Sequence, residues 1–182
     1  MKQILFIIGS LRKQSFNRQV ANYVNDLLKD KAQVKWLDFD DLPFVNEDIE
    51  CPAPAAVARV REQVKEADGL WIFTPEYNYS YPAQVKNLLD WLSRPLKAND
   101  PDRHTSIENK SVAITGMGGR NQTKDCREKL TALLDFLRVH TLPTQVGLSA
   151  NPEAWSDNKV ILSKEQKQEL RKQTDDFLTF LA

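Results

Sequence analysis

Short continuous apolar runs alternate along this chain with longer stretches whose apolar residues recur every three or four positions. Ile4-Leu5-Phe6-Ile7-Ile8 is the first such run, and Gly9-Ser10 ends it. A run this short, bounded by Gly-Ser, reads as a strand buried on both faces of a parallel sheet, where no polar alternation is needed. The pattern returns at Leu70-Trp71-Ile72-Phe73-Thr74 and at Ser111-Val112-Ala113-Ile114-Thr115. Val34, Trp36, Leu37 and Phe39 predict a shorter second strand, and a weaker fifth strand is expected between His140 and Leu148. Helical spacing fills the intervals. Val20, Tyr23, Val24, Leu27 and Leu28 mark a first helix, and Val57, Val60, Val64 and Ala67 a second. Val85, Leu88, Leu89 and Leu92 mark a third, and Cys126, Leu130, Leu133, Leu134 and Leu137 a fourth. Leu170, Phe177, Leu178 and Leu181 share one side of a last helix. Pro82 suits the first turn of the third helix, where its missing N–H costs nothing. Pro95 ends that helix, and 97–109 reads as a polar, proline-containing connection.

Strand and helix alternating five times is the signature of a doubly wound α/β fold. Right-handed crossovers leave few topologies for five such units. The expected architecture is a flavodoxin-like, doubly wound five-stranded parallel sheet of order 2-1-3-4-5, with 1–182 as one domain. In that order ligands bind outside the carboxyl ends of the strands, where the strand order reverses. The loops after strands one, three and four would meet there.

The totals narrow the function classes. Lys and Arg number 25, as do Asp and Glu, so the net charge of 0 gives no sign of nucleic-acid or membrane attraction. The first apolar run is too short for a signal peptide, and no stretch approaches the ~18 apolar residues of a membrane span. Cys51 and Cys126 lack Cys-x-x-Cys spacing, so neither a zinc site nor a redox pair is indicated. His104 and His140 stand in no metal-ligand or triad spacing and are read as surface or structural residues. No metal is expected. A cytoplasmic protein with reduced thiols is the expectation.

Candidate chemistry lies in the loops. Gly9-Ser10-Leu11-Arg12-Lys13-Gln14-Ser15-Phe16-Asn17 joins the first strand to a helix. A helix N-terminus attracts anions through its free N–H groups and its dipole. Ser10, Ser15, Asn17 and Arg12 would add hydroxyl, amide and guanidinium donors suited to a phosphate monoester. Ser15 is alternatively only an N-cap, and Arg12 a solvated residue. The segment matches neither the nucleoside-triphosphate P-loop nor Gly-x-Gly-x-x-Gly. Beyond the third strand, Pro75 and Pro82 are expected to hold Glu76–Tyr81 in an extended path that offers main-chain groups to the edge of a planar ring. Tyr77, Tyr79 and Tyr81 would cover an apolar end of such a ring. They could equally pack on the sheet end or at a subunit contact. Gly116-Met117-Gly118-Gly119 would let the backbone approach a ligand, or serve as an ordinary turn. Together the loops point to a flavin mononucleotide (FMN) site.

These segments resemble a known family. Gly9-Ser10-x-Arg12-x-x-Ser15-x-Asn17, Pro75-Glu76-Tyr77-Asn78 and Lys86-Asn87-x-x-Asp90-Trp91-x-Ser93-Arg94 are similar to the NADPH-dependent FMN reductases, which include quinone, chromate and azo-dye reductases. The resemblance covers roughly residues 3–140. It implies that Ser10, Arg12, Ser15 and Asn17 bind the FMN phosphate, with Phe16 also among the cofactor-binding residues. Pro75, Glu76, Tyr77 and Asn78 would line the isoalloxazine, largely through backbone atoms, and Thr115, Gly116, Gly118 and Gly119 would close the remaining flank. Lys86, Asn87, Asp90, Trp91, Ser93 and Arg94 would fix their helix and a subunit interface, since relatives are commonly dimers or tetramers. NADPH or NADH would be the co-substrate, with Lys13, Arg18 and Arg120 as candidates to meet a 2′-phosphate. Ala83 replaces a usual glycine, and Arg120-Asn121-Gln122 is more polar than expected, which bears on donor and acceptor preference. The implied activity passes hydride from NAD(P)H through the flavin N5 to a small-molecule acceptor such as a quinone or azo compound by a ping-pong mechanism, with no catalytic side chain. An electron carrier that docks on protein partners is the alternative. Such carriers tend to be acidic, which this chain is not. A flavodoxin-like domain that binds a phosphorylated ligand without redox chemistry is a third reading.

Overall fold

Three apolar runs form the middle of a parallel sheet in the computed structural model. It describes residues 1–99 and 101–182; Asp100, within the connection expected over 97–109, lies outside the described residues. Strands β1 (Gln3–Ile8), β3 (Gly69–Thr74) and β4 (Ser111–Gly118) are buried along nearly their whole length. That burial on both faces explains their continuous apolar sequence. Strand β2 (Gln33–Trp36) lies outside β1, and β5 (His140–Thr141) outside β4, in the order β2-β1-β3-β4-β5, all pairs parallel.

Helices cover both faces. α1 (Phe16–Leu28) and α6 (Lys164–Phe180) pack on the face presenting Ile4, Phe6, Trp71 and Phe73. Aromatic rings dominate there: Trp71 stacks on Phe73 at 5.5 Å and meets Phe177 edge-on at 5.2 Å. α2 (Ala55–Glu66), α3 (Ala83–Leu92) and α4 (Lys124–Phe136) cover the opposite face, where Leu5, Ile7, Leu70 and Ile72 point. Strict alternation within each strand thus divides one apolar run between two cores. No helix among the described residues is long and apolar enough to cross a membrane.

Three elements depart from the sequence reading. The fifth strand is divided: β5 pairs with Ser111 and Val112, and β6 (Val146–Ser149) with Thr115–Gly118. Pro143 in the gap has no N–H to donate to a ladder. The buried Gln173 of α6 closes this gap, its Nε2 donating to Ile114 O at 2.8 Å and Thr144 O at 2.9 Å. The carboxamide thereby satisfies main-chain acceptors that a continuous strand would have met. Pairing with β6 also carries β4 on to Gly118, so Gly116 and Met117 are strand rather than loop. Pro82 takes the N-cap of α3 instead of a place inside its first turn.

The polar residues of α3 tie down the 40–50 loop. Asn87 donates to Pro43 O and accepts from Val45 N, both at 2.9 Å, and Trp91 Nε1 donates to Pro43 O at 2.7 Å. Arg94 pairs with Glu47 and Glu50.

Candidate functional site

The carboxyl ends of β1, β3 and β4 open into a cleft of about 520 Å³, floored by the start of α1. Ser15 caps α1, its Oγ accepting from Arg18 N at 3.4 Å. The first-turn amides of Phe16 and Asn17 have no intrahelical acceptor and face the cleft end of the helix. Ser10 and Ser15 are nearly buried, at 7 % and 2 % exposure, and both line the cleft, with Ser10 Oγ accepting from Arg12 N at 3.4 Å. Arg12 supplies the cation. Its guanidinium lies 4.6 Å above the Phe16 ring, Nη2 donates to Gln14 O at 2.9 Å, and Nη1 donates to Asn158 Oδ1 at 2.7 Å. Asn17 behaves differently from its neighbours. Its Nδ2 donates to Met117 O at 3.0 Å and its Oδ1 accepts from Met117 N at 2.9 Å, which staples α1 to β4.

The second wall follows β3. The expected extended path over Glu76–Tyr81 is not what forms. Asn78 and Tyr79 both have positive φ, at 50° and 59°, and Tyr77 and Ser80 exchange main-chain hydrogen bonds at 2.9 and 3.0 Å. Consecutive left-handed residues close a tight hairpin turn, for which asparagine is a favoured first central residue. Pro75, Glu76 and Tyr77 line the cleft, whereas Asn78, at the turn, is not among its lining residues. The Glu76 carboxylate is turned aside: Oε2 accepts from Cys126 N at 2.9 Å and Oε1 from Asn121 Nδ2 at 3.1 Å. It thereby caps α4, whose own N-cap, Thr123, is left-handed at φ 56° and makes no side-chain cap. A carboxylate suits that position, since a helix N-terminus carries partial positive charge. Behind it, burial pushes the Cys126 thiol up to about 11.

The third wall is Met117–Asn121 with Thr123. Gly118 and Gly119 present main chain to the cleft, and a Cβ on Gly119 would meet nothing within 4 Å. Gly116 serves packing instead: a Cβ there would fall 1.8 Å from Thr123 Oγ1. Thr115 is fully buried, its hydroxyl donating to Gln173 Oε1 at 2.6 Å and accepting from Trp71 Nε1 at 2.9 Å.

Ser10, Arg12, Ser15, Phe16, Asn17, Pro75, Glu76, Tyr77, Gly118 and Gly119 are therefore brought together, and Asn78, Thr115 and Gly116 stand outside the cleft. Met117, Asn121, Thr123 and Trp155 line it without having been singled out as ligand residues, as does Arg120, whose role the sequence left open. Trp155 belongs to a short helix, α5 (Ala154–Asp157), and meets Phe16 edge-on at 5.1 Å. Its only sequence signal is a lone aromatic in the polar run Asn151-Pro152-Glu153-Ala154-Trp155-Ser156.

The donor set fits a phosphate monoester. Ser10, Ser15, Arg12 and the first-turn residues Phe16 and Asn17 line one region of the cleft, and the one carboxylate lining it is engaged elsewhere. The open main chain at Gly118–Gly119 and the apolar Pro75, Tyr77 and Met117 suit a flat ring joined to that phosphate.

Comparison with known proteins agrees with this geometry. A family model described as NADPH-dependent FMN reductase matches residues 2–153. An NAD(P)H-dependent FMN reductase of Pseudomonas aeruginosa is 34% identical over 174 residues, covering 94% of this chain and 90% of that protein. A 2-hydroxy-1,4-benzoquinone reductase of Burkholderia is 40% identical over 93 residues, a match spanning only 51% of either chain. The solved structure of a flavoenzyme NAD(P)H:acceptor oxidoreductase from Paracoccus denitrificans superposes with a TM-score of 0.86 at 26% identity, covering 100% of this chain and 97% of that one.

Proposed function

The chain belongs to the NADPH-dependent FMN reductase family, and from that premise we propose that it is an FMN-dependent oxidoreductase passing electrons from NAD(P)H to a quinone or similar small-molecule acceptor. The observation that carries this reading is the cup at the start of α1, opening into the cleft between 75–77 and 118–121. Ser10, Arg12 and Ser15 would hold the FMN phosphate together with the main-chain amides of Phe16 and Asn17. Asn17 would contribute through its main chain, because its carboxamide is bonded to Met117. Pro75, Glu76 and Tyr77 would border the isoalloxazine on one side, and Gly118 and Gly119 on the other. Asn78, Thr115 and Gly116 would support these loops from behind.

When bound, FMN supplies a hydride carrier at N5, so the protein's part is orientation, electrostatics and access. The cup fixes one end of the ligand by charge and hydrogen bonds, which sets the register of the ring along the cleft. The hairpin closed by the paired main-chain hydrogen bonds of Tyr77 and Ser80 would hold the Pro75–Tyr77 wall in place beside the ring. Tyr77 is half exposed at the rim, and the cleft stays open above it, leaving room for nicotinamide and acceptor to take the same place in turn. That arrangement favours a ping-pong reaction. The name of the Burkholderia relative makes quinones the first acceptors to try.

The test is a visible spectrum of the purified protein with FMN, followed by NAD(P)H without oxygen. Bound oxidised flavin that bleaches at once, and recovers on addition of benzoquinone, is the expected result. A bound flavin that NAD(P)H leaves oxidised would turn the reading to an electron carrier. Failure to bind flavin would overturn the reading of the cup.

A further inference from the structure

We propose that Asn158 is a positioning residue for the phosphate cup, holding the Arg12 guanidinium ready for a phosphate dianion and so setting how tightly FMN is retained. The inference rests on the FMN reading above. It concerns a strap, 150–163, of which 154–163, Asn158 included, lies beyond the residues matched by the family model.

The strap is fastened over the cup at several points. Ala154 is fully buried and anchors α5. Trp155 stands against Phe16, the ring over which Arg12 lies. Gln19 of α1 grips the strap at residue 158 and just beyond it: its Nε2 donates to Asn158 O at 2.8 Å, and its Oε1 accepts from Val160 N at 2.9 Å. Asn158 itself has φ 60°, and its N–H closes α5 on Ala154 O at 3.0 Å. Asparagine is among the few side-chain-bearing residues that adopt this left-handed conformation readily. Its Oδ1 is thereby aimed at Arg12 Nη1, 2.7 Å away and 146 positions earlier in the chain.

Two consequences follow for a phosphate. First, Asn158 and Gln14 hold two guanidinium nitrogens, leaving other donors of the fork for the cleft. A free arginine loses much rotamer freedom when it grips a ligand, whereas one fixed by the fold loses less on binding. Second, the acceptor is a neutral amide. A carboxylate at 158 would hold the guanidinium at least as well, but would offset its charge and repel the phosphate. A role confined to holding the strap in place gives no reason for that distinction; a role toward an anion does.

The experiment compares Asn158→Asp, Asn158→Gly and Arg12→Ala with the wild-type chain, titrating each with FMN and with riboflavin, which lacks the phosphate. Glycine tolerates the φ of residue 158, so Asn158→Gly removes the side chain without straining the strap. Urea unfolding of each variant serves as the check on fold. The expected result is FMN binding weakened about tenfold or more by Asn158→Asp and less by Asn158→Gly, with riboflavin binding unchanged in both. Arg12→Ala should lose FMN affinity and spare riboflavin. If Arg12→Ala weakens FMN but both Asn158 variants bind it like wild type, the positioning role is overturned and the cup survives. If the wild-type chain holds FMN no better than riboflavin, the phosphate cup itself is refuted.

Discussion

Glu76 illustrates how one side chain can look like a ligand residue and act as a structural one. It stands in the cleft wall, yet its carboxylate supplies the cap that Thr123 does not, bonding Cys126 N at 2.9 Å. Glu76→Ala should therefore cost about 1 kcal/mol, the usual value of a lost N-cap, while Glu76→Gln should retain most of that. Urea unfolding of the two variants measures the difference. Cys126 offers a second residue-level test, in pH. Burial lifts its thiol from an ordinary 9.0 to about 11. Below about pH 8 the thiol is protonated in both folded and unfolded chains. As pH rises toward 11 the unfolded chain releases its proton first, so the folded state loses up to about 2–3 kcal/mol. Stability lost between about pH 8 and pH 10.5 should be smaller in Cys126→Ala than in wild type by much of that amount. Equal losses would remove the assigned shift. Ser15 was legible from sequence because a cap acts over three residues. The carboxamide of Asn17 was not, because Met117, its partner, is 100 positions away and no local pattern encodes the contact.

Elements were legible where burial was uniform and obscure where two of them share a task. The apolar runs of β1, β3 and β4 announce central strands, and the spacing of α1 to α4 places their buried faces. The end of β4 is different. Gly116-Met117-Gly118-Gly119 has the composition of a loop, but β6 pairs with it and extends the strand to Gly118. The divided fifth strand was equally hidden, since Gln173 closes the gap from α6. The glycines separate these roles experimentally. Gly116→Ala forces a Cβ onto Thr123 and should destabilise by about 1–3 kcal/mol, the usual cost of overpacking. Gly119→Ala meets open space and has no positive φ to violate, so its stability should match wild type. Any effect of Gly119→Ala should instead appear as weaker flavin binding, because the new methyl enters the cleft wall. A Gly119→Ala protein that unfolds early, or a Gly116→Ala protein as stable as wild type, would contradict this division.

At the scale of the molecule, the sheet order brings together loops that the sequence keeps far apart. Because β1 and β3 are neighbours while the chain between them leaves to form β2, the segments after β1, β3 and β4 open side by side. The strap after β6 then returns across α1, and Arg12 joins it through Asn158. A ligand in the cleft would touch the first helix, the third and fourth strands and the strap at once. Binding there should stabilise the whole cooperative unit. At a hundredfold excess over the dissociation constant, a ligand that binds only the folded state adds about 2.7 kcal/mol. For a chain of this length that corresponds to a Tm higher by roughly 5–10 °C. FMN should produce such a shift, whereas riboflavin at the same concentration should produce much less, because it cannot use the cup. Arg12→Ala should reduce the FMN shift toward the riboflavin value without lowering the Tm of the unliganded protein by a comparable amount. Equal shifts with FMN and riboflavin would mean that the ring alone carries the affinity, and that the start of α1 is a helix cap without a ligand.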